Sequence, residues 1–268
     1  ELGESTLADM RQLTATVRRV KPDIFVDLHD VLRSRFIRLV CRALGIRVRR
    51  FDKMRAAKRR LVAGRSHQAI TPTTLRYAQA FDGLGLNAPT PFTTIFGARE
   101  NAPVQLFASL TPPKPTSQKW IGIAPFAKHG GKIYPLDKMR RAMELMLDNE
   151  SVHIFLFGGG RRETELLTSL ANGLQRVTLV AGSGLDLKAE LALMTQMDLM
   201  ITMDSANMHL AALTGTPVLS IWGATHPDAG FAPWQSPGCQ NRVMQAQPDC
   251  RPCSIFGNKP CRSGTFEC

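Results

Sequence analysis

The chain has 268 residues, 44% apolar and 21% charged, with 34 Lys/Arg against 22 Asp/Glu for a net charge of +12. That is ordinary globular composition for one or two domains, and it excludes a disordered tail, a collagen-like repeat and a disulfide-dense miniprotein. No stretch approaches the ~18–20 uninterrupted apolar residues needed to cross a bilayer, and no secretory apolar segment follows the start.

The chain opens at Glu1, without an initiator Met, inside a predicted helix that runs to Val20, and it stops at Cys268; it reads as a chain lacking its native ends. Residues 23–29 (DIFVDLH) follow Lys21-Pro22 as a short apolar strand. Val31 to Leu44 places Leu32, Phe36, Leu39, Val40 and Ala43 at helical spacing and closes at Gly45. Ile46–Val48 is a weaker strand, Met54–Val62 a basic helix, and Thr71–Leu84 a helix with Pro72 in its first turn. Asn87–Pro91 and Thr111–Ser117 are Pro-rich and polar, which predicts connection and loop over 87–118. From 119 onward strand and helix alternate regularly. Strands are predicted at 120–124, 152–157, 177–180, 199–203 and 217–222, with helices at 134–149, 163–174, 187–196 and 206–214. Such alternation implies a parallel, doubly wound sheet. Two α/β units leave a cleft, and ligands of open α/β sheets bind at the carboxyl ends of the strands. The informative loops are therefore those after Ala124, Phe157, Val180, Met203 and Trp222.

The charge is concentrated. Residues 33–65 hold thirteen Lys/Arg and one acid, Asp52, a surplus equal to that of the whole chain. A one-signed field of this kind attracts a polyanion: nucleic acid, anionic lipid or a phosphorylated substrate. Four of the six cysteines, Cys250, Cys253, Cys261 and Cys268, form C-x2-C-x7-C-x6-C. Four thiolates can hold a tetrahedral structural zinc. The gaps match no standard zinc ribbon, and reduced thiols or two disulfides suit the same pattern.

The strongest loop is Met203–Ala212 (MDSANMHLAA). Ser205 stands where a helix N-cap belongs, Ala206 lets a ligand approach the backbone, and the free N–H groups of that helix end suit a diphosphate. Asp204 precedes them and His209 lies one turn in. In Ala124–Pro135 (APFAKHGGKIYP), Gly130-Gly131 makes a turn and Lys132 stands ready to neutralise a phosphate leaving group. It is not a P-loop, because the G-K-[ST] ending is absent. In 157–163 (FGGGRRE), Glu163 is either a ribose-binding acid or a first-turn acid favoured by the helix dipole. In 182–186 (GSGLD), Leu185 offers an apolar wall for a base.

Together and in this order these loops resemble the bacterial lipopolysaccharide heptosyltransferases of glycosyltransferase family nine. The resemblance is most specific in 204–209 (DSANMH), 215–227 (GTPVLSIWGATHP) and 131–135 (GKIYP), and the Cys250–Cys268 pattern looks like the cysteine-rich tail of many members. It implies an α/β chain of the GT-B type, two Rossmann-like domains facing a cleft, with the N-terminal domain incomplete. Residues 1–110 would be the acceptor-side domain, 117–245 the nucleotide-sugar domain and 246–268 the Cys-rich tail. It implies an inverting enzyme that moves a heptose or related sugar from an ADP-sugar such as ADP-heptose to a lipopolysaccharide core acceptor, with no cofactor and no catalytic metal. By position, Lys132 resembles the family's donor-phosphate lysine. Asp204, Ser205 and Ala206 match the loop that meets diphosphate and sugar, and His209 its histidine. Leu185 falls where a Met often meets adenine, and Glu163 near the ribose acid. Two departures stand out: Pro125-Phe-Ala127 replaces the hydroxyl-bearing turn before the lysine, and Ser-Ala replaces the common Thr-Gly at 205–206. The family's general base, on a Gly-Asp turn, has no counterpart before Asp23, so the resemblance places it ahead of Glu1. Asp27, His29 and Asp30, at the end of the first strand, are candidates for acceptor contact.

The partners implied are a nucleotide-sugar donor, an anionic lipid-linked oligosaccharide and the inner-membrane surface, in a cytoplasmic, peripheral protein that uses no nucleic acid. The segment 33–65 would face core sugars or the inner leaflet. Two alternatives share the features: a GT-B-fold nucleotide-sugar epimerase or hydrolase, and an RNA-binding module built on 33–65. The latter has only Phe36 and Phe51 for base stacking and no RNA motif.

Overall fold

The computed structural model describes residues 7–66, 68–85 and 93–268. The start of the first predicted helix and Asn87–Pro91 lie outside the described residues. The chain forms two compact units, residues 1–57 with 70–90 and residues 58–69 with 91–268.

In the first unit, helix α1 (Leu7–Val20) leads to β1 (Ile24–Asp27), α2 (Leu32–Ala43) and β2 (Arg47–Arg50), with β1 and β2 paired in parallel; α3 (Arg55–Val62) begins here, and α4 (Thr73–Gln79) closes the unit. Helix α2 inverts the usual arrangement. The apolar residues that set its period face outward, Leu32 81% and Leu39 62% exposed, beside the exposed Arg35, Phe36 and Arg42. Its buried side carries Ile37, Cys41 and the guanidinium of Arg38. Arg38 is held there by two buried carboxylates, Asp27 at 2.8 Å and Asp30 at 3.1 Å. Asp27 also accepts the N–H groups of His29 and Asp30, and Asp30 pairs with Arg35 and Arg55. Phe51 is buried against Tyr77, with the Arg76 guanidinium over its ring.

The second unit carries a six-stranded parallel sheet in the order β5-β4-β3-β6-β7-β8. Its strands are β3 (Lys119–Ala124), β4 (Val152–Leu156), β5 (Val177–Leu179), β6 (Leu199–Met203), β7 (Val218–Trp222) and β8 (Arg242–Gln245). The crossover helices are α5 (Leu136–Leu147), α6 (Gly160–Ala171), α7 (Leu187–Met194) and α8 (Ala206–Leu213). Period-2 alternation divides the strand residues between two cores, as a sheet covered on both faces requires. Trp120, Phe155, Met200 and Trp222 join α7 and α8 on one side; Ile123, Ile154, Leu156 and Ile201 join α5 and α6 on the other.

Residues 93–118 do more than connect. Ala102 and Phe107 enter the first of these cores, and Arg99 donates to the carbonyls of Thr195, Met197 and Gly215, tying the segment to the ends of α7 and α8. Strand β8 is the element without a sequence signal. Its residues are mostly exposed at the sheet edge, so they carry no apolar period. The tail after 246 belongs to the same unit. Arg251 donates to the carbonyls of Gly223 and Thr225, and Cys253 N–H to that of Ala224.

Burial alone would raise the Asp27 and Asp30 carboxyls. The backbone N–H groups and Arg38 on Asp27, and Arg38 and Arg35 on Asp30, outweigh it and hold both below the ordinary carboxylate value of 3.8. The stability they contribute is therefore present above about pH 4 and lost as pH falls through the lowered values. Arg38→Met, which leaves both carboxylates buried and unpaired, is expected to destabilise the first unit by about 3–5 kcal/mol at pH 7. Its stability should also fall less steeply with acid than wild type, measured by urea unfolding from pH 7 to pH 3.

Candidate functional site

The strand order reverses between β3 and β6: β3, β4 and β5 step one way, then β6, β7 and β8 step the other. The carboxyl ends of β3 and β6 thus flank a topological switch point, where an open sheet leaves a crevice. The Lys132 loop follows β3 and the Asp204 loop follows β6. Their side chains meet across the crevice, Lys132 Nζ 2.8 Å from Asp204 Oδ2, with the Thr225 hydroxyl donating to that same oxygen at 2.8 Å. Lys132 Nζ also donates to the Asp204 carbonyl at 3.3 Å.

Backbone packing fixes the lysine. Ala224 N–H donates to the Gly131 carbonyl at 2.8 Å, and a Cβ on Gly223 would come within 2.5 Å of that oxygen, so only glycine fits where the two loops touch. On the other side Gly257, at φ +74°, lies on the lysine stem; a Cβ there would be 2.7 Å from Lys132 Cγ.

Helix α8 starts at the same point. Ser205 occupies the N-cap position with extended backbone, yet its hydroxyl caps nothing: its oxygen is buried and, among the described residues, has no hydrogen-bond partner. A buried, unpaired hydroxyl at an N-cap with no side-chain cap calls for an explanation. The pocket in front encloses about 460 Å³. It brings together Lys132, Glu163, Asp204, Ser205, Ala206 and His209, all expected from the sequence, and adds Lys128 and Asn207. Partial desolvation at the wall lowers the His209 imidazole below the usual histidine range; Asp204 draws it up and Lys132 presses it down. Glu163 stands in the first turn of α6. Its Oε2 accepts Gly159 N–H at 2.8 Å at the start of α6, and it also lines the pocket.

The expectation for Asp27 and Asp30 is corrected, and the remaining expected residues stand apart from this pocket. Leu185 is not among the residues lining this pocket; it packs on the core beyond the end of β5, one strand further along the sheet. Asp27 and Asp30 do not present their carboxylates, which are buried and consumed by Arg38 and its neighbours; of the three acceptor-side candidates only His29 is exposed. The four tail cysteines lie near one another, Cys250 beside Cys253 and Cys261, and Cys268 beside Cys253 and Cys261. All are free thiols, and among the described residues no three His, Cys, Asp or Glu side chains are placed to hold a metal.

Four residues of the site have no local signal. Thr225 lies in a loop that the strand-end rule marks, but the rule does not say which side chain matters. Phe231, Ile255 and Phe256 reach the pocket from far along the chain.

A parallel α/β sheet whose switch point holds a cation and an uncapped helix N-terminus has the architecture of GT-B glycosyltransferases. Among solved structures the chain is similar to E. coli heptosyltransferase WaaC with ADP (17% identity, TM-score 0.58, 92% of this chain and 74% of that one). It is also similar to a family 9 glycosyl transferase from Veillonella parvula (17%, 0.63, 91% and 69%) and to E. coli ADP-heptose LPS heptosyltransferase II (18%, 0.58, 90% and 72%). A UDP-GlcNAc 2-epimerase from Methanocaldococcus jannaschii shares the fold at 15% identity and TM-score 0.52, covering 81% of this chain and 67% of its own. No curated protein sequence matches. The model of glycosyltransferase family 9 (heptosyltransferase) spans residues 10–258, and the chain belongs to that family. It is a glycosyltransferase.

The tail thiols are not equivalent. The Ser263 hydroxyl and the Phe266 N–H stabilise the Cys261 thiolate and bring its pKa down to about 7, while desolvation and nearby Cys253 push Cys250 up. Cys261 is therefore expected to alkylate first with iodoacetamide at pH 7.5, read by mass spectrometry. Ser263→Ala should slow it, and metal analysis of the purified protein should find well under one zinc per chain.

Proposed function

We propose that this chain binds an ADP-sugar, with ADP-heptose the expected donor, and transfers the sugar with inversion to an anionic, lipid-linked oligosaccharide of the lipopolysaccharide core. The observation that carries the reading is the Lys132–Asp204 couple beside the uncapped α8 N-terminus at the switch point. A diphosphate there meets the Lys132 ammonium, the first N–H groups of α8 and the unpaired Ser205 hydroxyl. Asp204 already balances Lys132, so Lys128 and the helix end supply the surplus positive potential. Asp204 thereby acts as the group that aims the lysine. The structures of E. coli WaaC with ADP and with ADP-2-deoxy-2-fluoro heptose support the choice of adenine nucleotide.

In the transfer, the acceptor hydroxyl oxygen bonds to the anomeric carbon as the bond from that carbon to the β-phosphate oxygen breaks. The electron pair leaves on ADP, and the hydroxyl proton leaves to a base. Lys132, Ser205 and α8 face the oxygen on which charge develops, so they stabilise the transition state more than the bound donor. Asp27 and Asp30, ion-paired and of lowered pKa, are unsuited to take that proton.

Calorimetry is expected to find ADP bound more tightly than UDP; equal or tighter UDP would overturn the donor assignment. Lys132→Ala should lower ADP-sugar turnover about a hundredfold. Free sugar released in a donor-only incubation, at the rate of donor loss, would favour the hydrolase reading.

The acceptor side of the proposal rests on α2 and β2. Exposed Leu32, Phe36 and Leu39 flanked by exposed Arg35 and Arg42, with Arg47, Arg49 and Arg50 nearby in sequence, suit an anionic lipid surface. RNA is disfavoured because Phe51 is buried, leaving Phe36 as the one exposed ring of the pair. Among the described residues no helix is long and apolar enough to cross a membrane. Replacing Arg42, Arg47, Arg49 and Arg50 with Gln should weaken binding to phosphatidylglycerol vesicles by about fivefold per residue, as expected for about 1 kcal/mol each. ADP affinity should not change, and equal loss of both would make the segment structural.

A further inference from the structure

We infer that the loop Ser254–Asn258 of the Cys-rich tail is the sugar-binding wall of the donor pocket, with the Phe256 ring lying against the apolar face of the sugar that is transferred. The inference rests on the donor site proposed above and names the subsite that reads the sugar.

Sheet order makes the pocket linear. Along the carboxyl edge the loops follow in the order β4, β3, β6, β7, and they bring Glu163, then Lys132, then Asp204 and Ser205, then Thr225. Phe231 and the tail residues Ile255 and Phe256 line the pocket from the β7 side, where Arg251 and Cys253 dock the tail on the Gly223–Thr225 loop. A nucleoside diphosphate sugar is linear in the same sense: nucleoside, two phosphates, sugar. With the diphosphate at Lys132 and α8, and the nucleoside toward Glu163 and β4, the sugar falls on the β7 side. The residues met there are Phe231, Ile255 and Phe256.

The loop is built to present that ring. Phe256 is 54% exposed and lines the pocket, so part of its ring is open to a ligand there. Its backbone is nonetheless pinned. The buried Ser254 hydroxyl accepts the N–H groups of Phe256 at 3.2 Å and Gly257 at 3.1 Å and bonds the Asn258 side chain at 2.9 Å. The next residue, Gly257, rests on the Lys132 stem, so the ring is one residue away in the chain from the contact that seats the phosphate cation. Phe231 supports it from 5.7 Å with the planes inclined by 47°. The Lys58 ammonium lies over the Phe231 ring at 4.4 Å and further from Phe256, at 5.8 Å, so the Phe231 face is already occupied. A sugar ring turns its polarised C–H bonds toward such an aromatic face and its hydroxyls to polar neighbours. Apolar lining with a few placed polar groups is the general form of a small-molecule site.

The test is calorimetric titration of the whole chain with ADP and with ADP-heptose, in wild type, Phe256→Ala and Phe256→Tyr. ADP affinity should stay within twofold in all three. ADP-heptose affinity should fall about tenfold in Phe256→Ala, the loss expected from uncovering this much apolar surface, and return in Phe256→Tyr. Unchanged ADP-heptose affinity in Phe256→Ala would overturn the inference. So would equal loss of ADP and ADP-heptose, which would make Phe256 a prop for Lys132. A wild type that binds neither nucleotide would overturn the donor site itself, and the subsite with it.

Discussion

The ion pair between Lys132 and Asp204 is the constraint on which the rest of the site depends. Each ion taken out of water costs several kcal/mol, and such a pair persists only where geometry and further hydrogen bonds offset that cost. Here the offset is local. Asp204 also accepts from Thr225, and the ammonium also reaches the Asp204 carbonyl. Four separate segments keep the pair in register. The β3 and β6 loops supply the two charges, the β7 loop holds the Gly131 carbonyl, and the tail lies along the lysine stem through Gly257. The two glycines at these contacts serve close approach between chains, which explains why a lysine in an irregular loop has one position.

From that pair the rest of the pocket follows by sheet order. A parallel sheet presents all its carboxyl ends on one edge, and the reversal between β3 and β6 opens that edge where the pair sits. Neighbouring loops then stand in a row along that edge, which is the arrangement the proposed donor reading uses. The tail completes the line because Arg251, with three nitrogens engaged on backbone carbonyls and Gln245, docks it on the β7 side. The cysteines that dominate the tail in sequence are peripheral to this arrangement. Its working residues are Arg251, Ser254, Phe256 and Gly257.

In the first unit the electrostatics are of another kind. Arg38 is the counter-ion of two buried carboxylates, so part of the basic surplus is structural, while the exposed arginines of α2 and β2 stand beside exposed leucines. Composition counts these arginines alike. Burial separates the one that holds the unit together from those that present a charged, partly apolar surface.

The sequence by itself determined the elements and the chemistry of two loops. Apolar runs and helical periods depend on neighbours within a turn or a strand, so they identified β1–β7 and the crossover helices, and they put Lys132 and residues 204–209 at strand ends. Local patterning missed β8, whose edge position leaves its side chains exposed and without a period. It read the apolar stripe of α2 as an ordinary helix face, because spacing shows that residues share a face but not whether that face is covered. It left the state of the tail cysteines open, because their spacing suits zinc, reduced thiols or disulfides alike; the fold holds them near one another as free thiols. Strand order, the pairing of Lys132 with Asp204, the burial of Arg38 and the arrival of Phe231 and Phe256 at the pocket were decided only by the tertiary structure. Each joins residues eight or more positions apart, 72 in the case of Lys132 and Asp204. Such contacts arise when whole elements pack to bury their apolar faces, and no local period records which elements will meet.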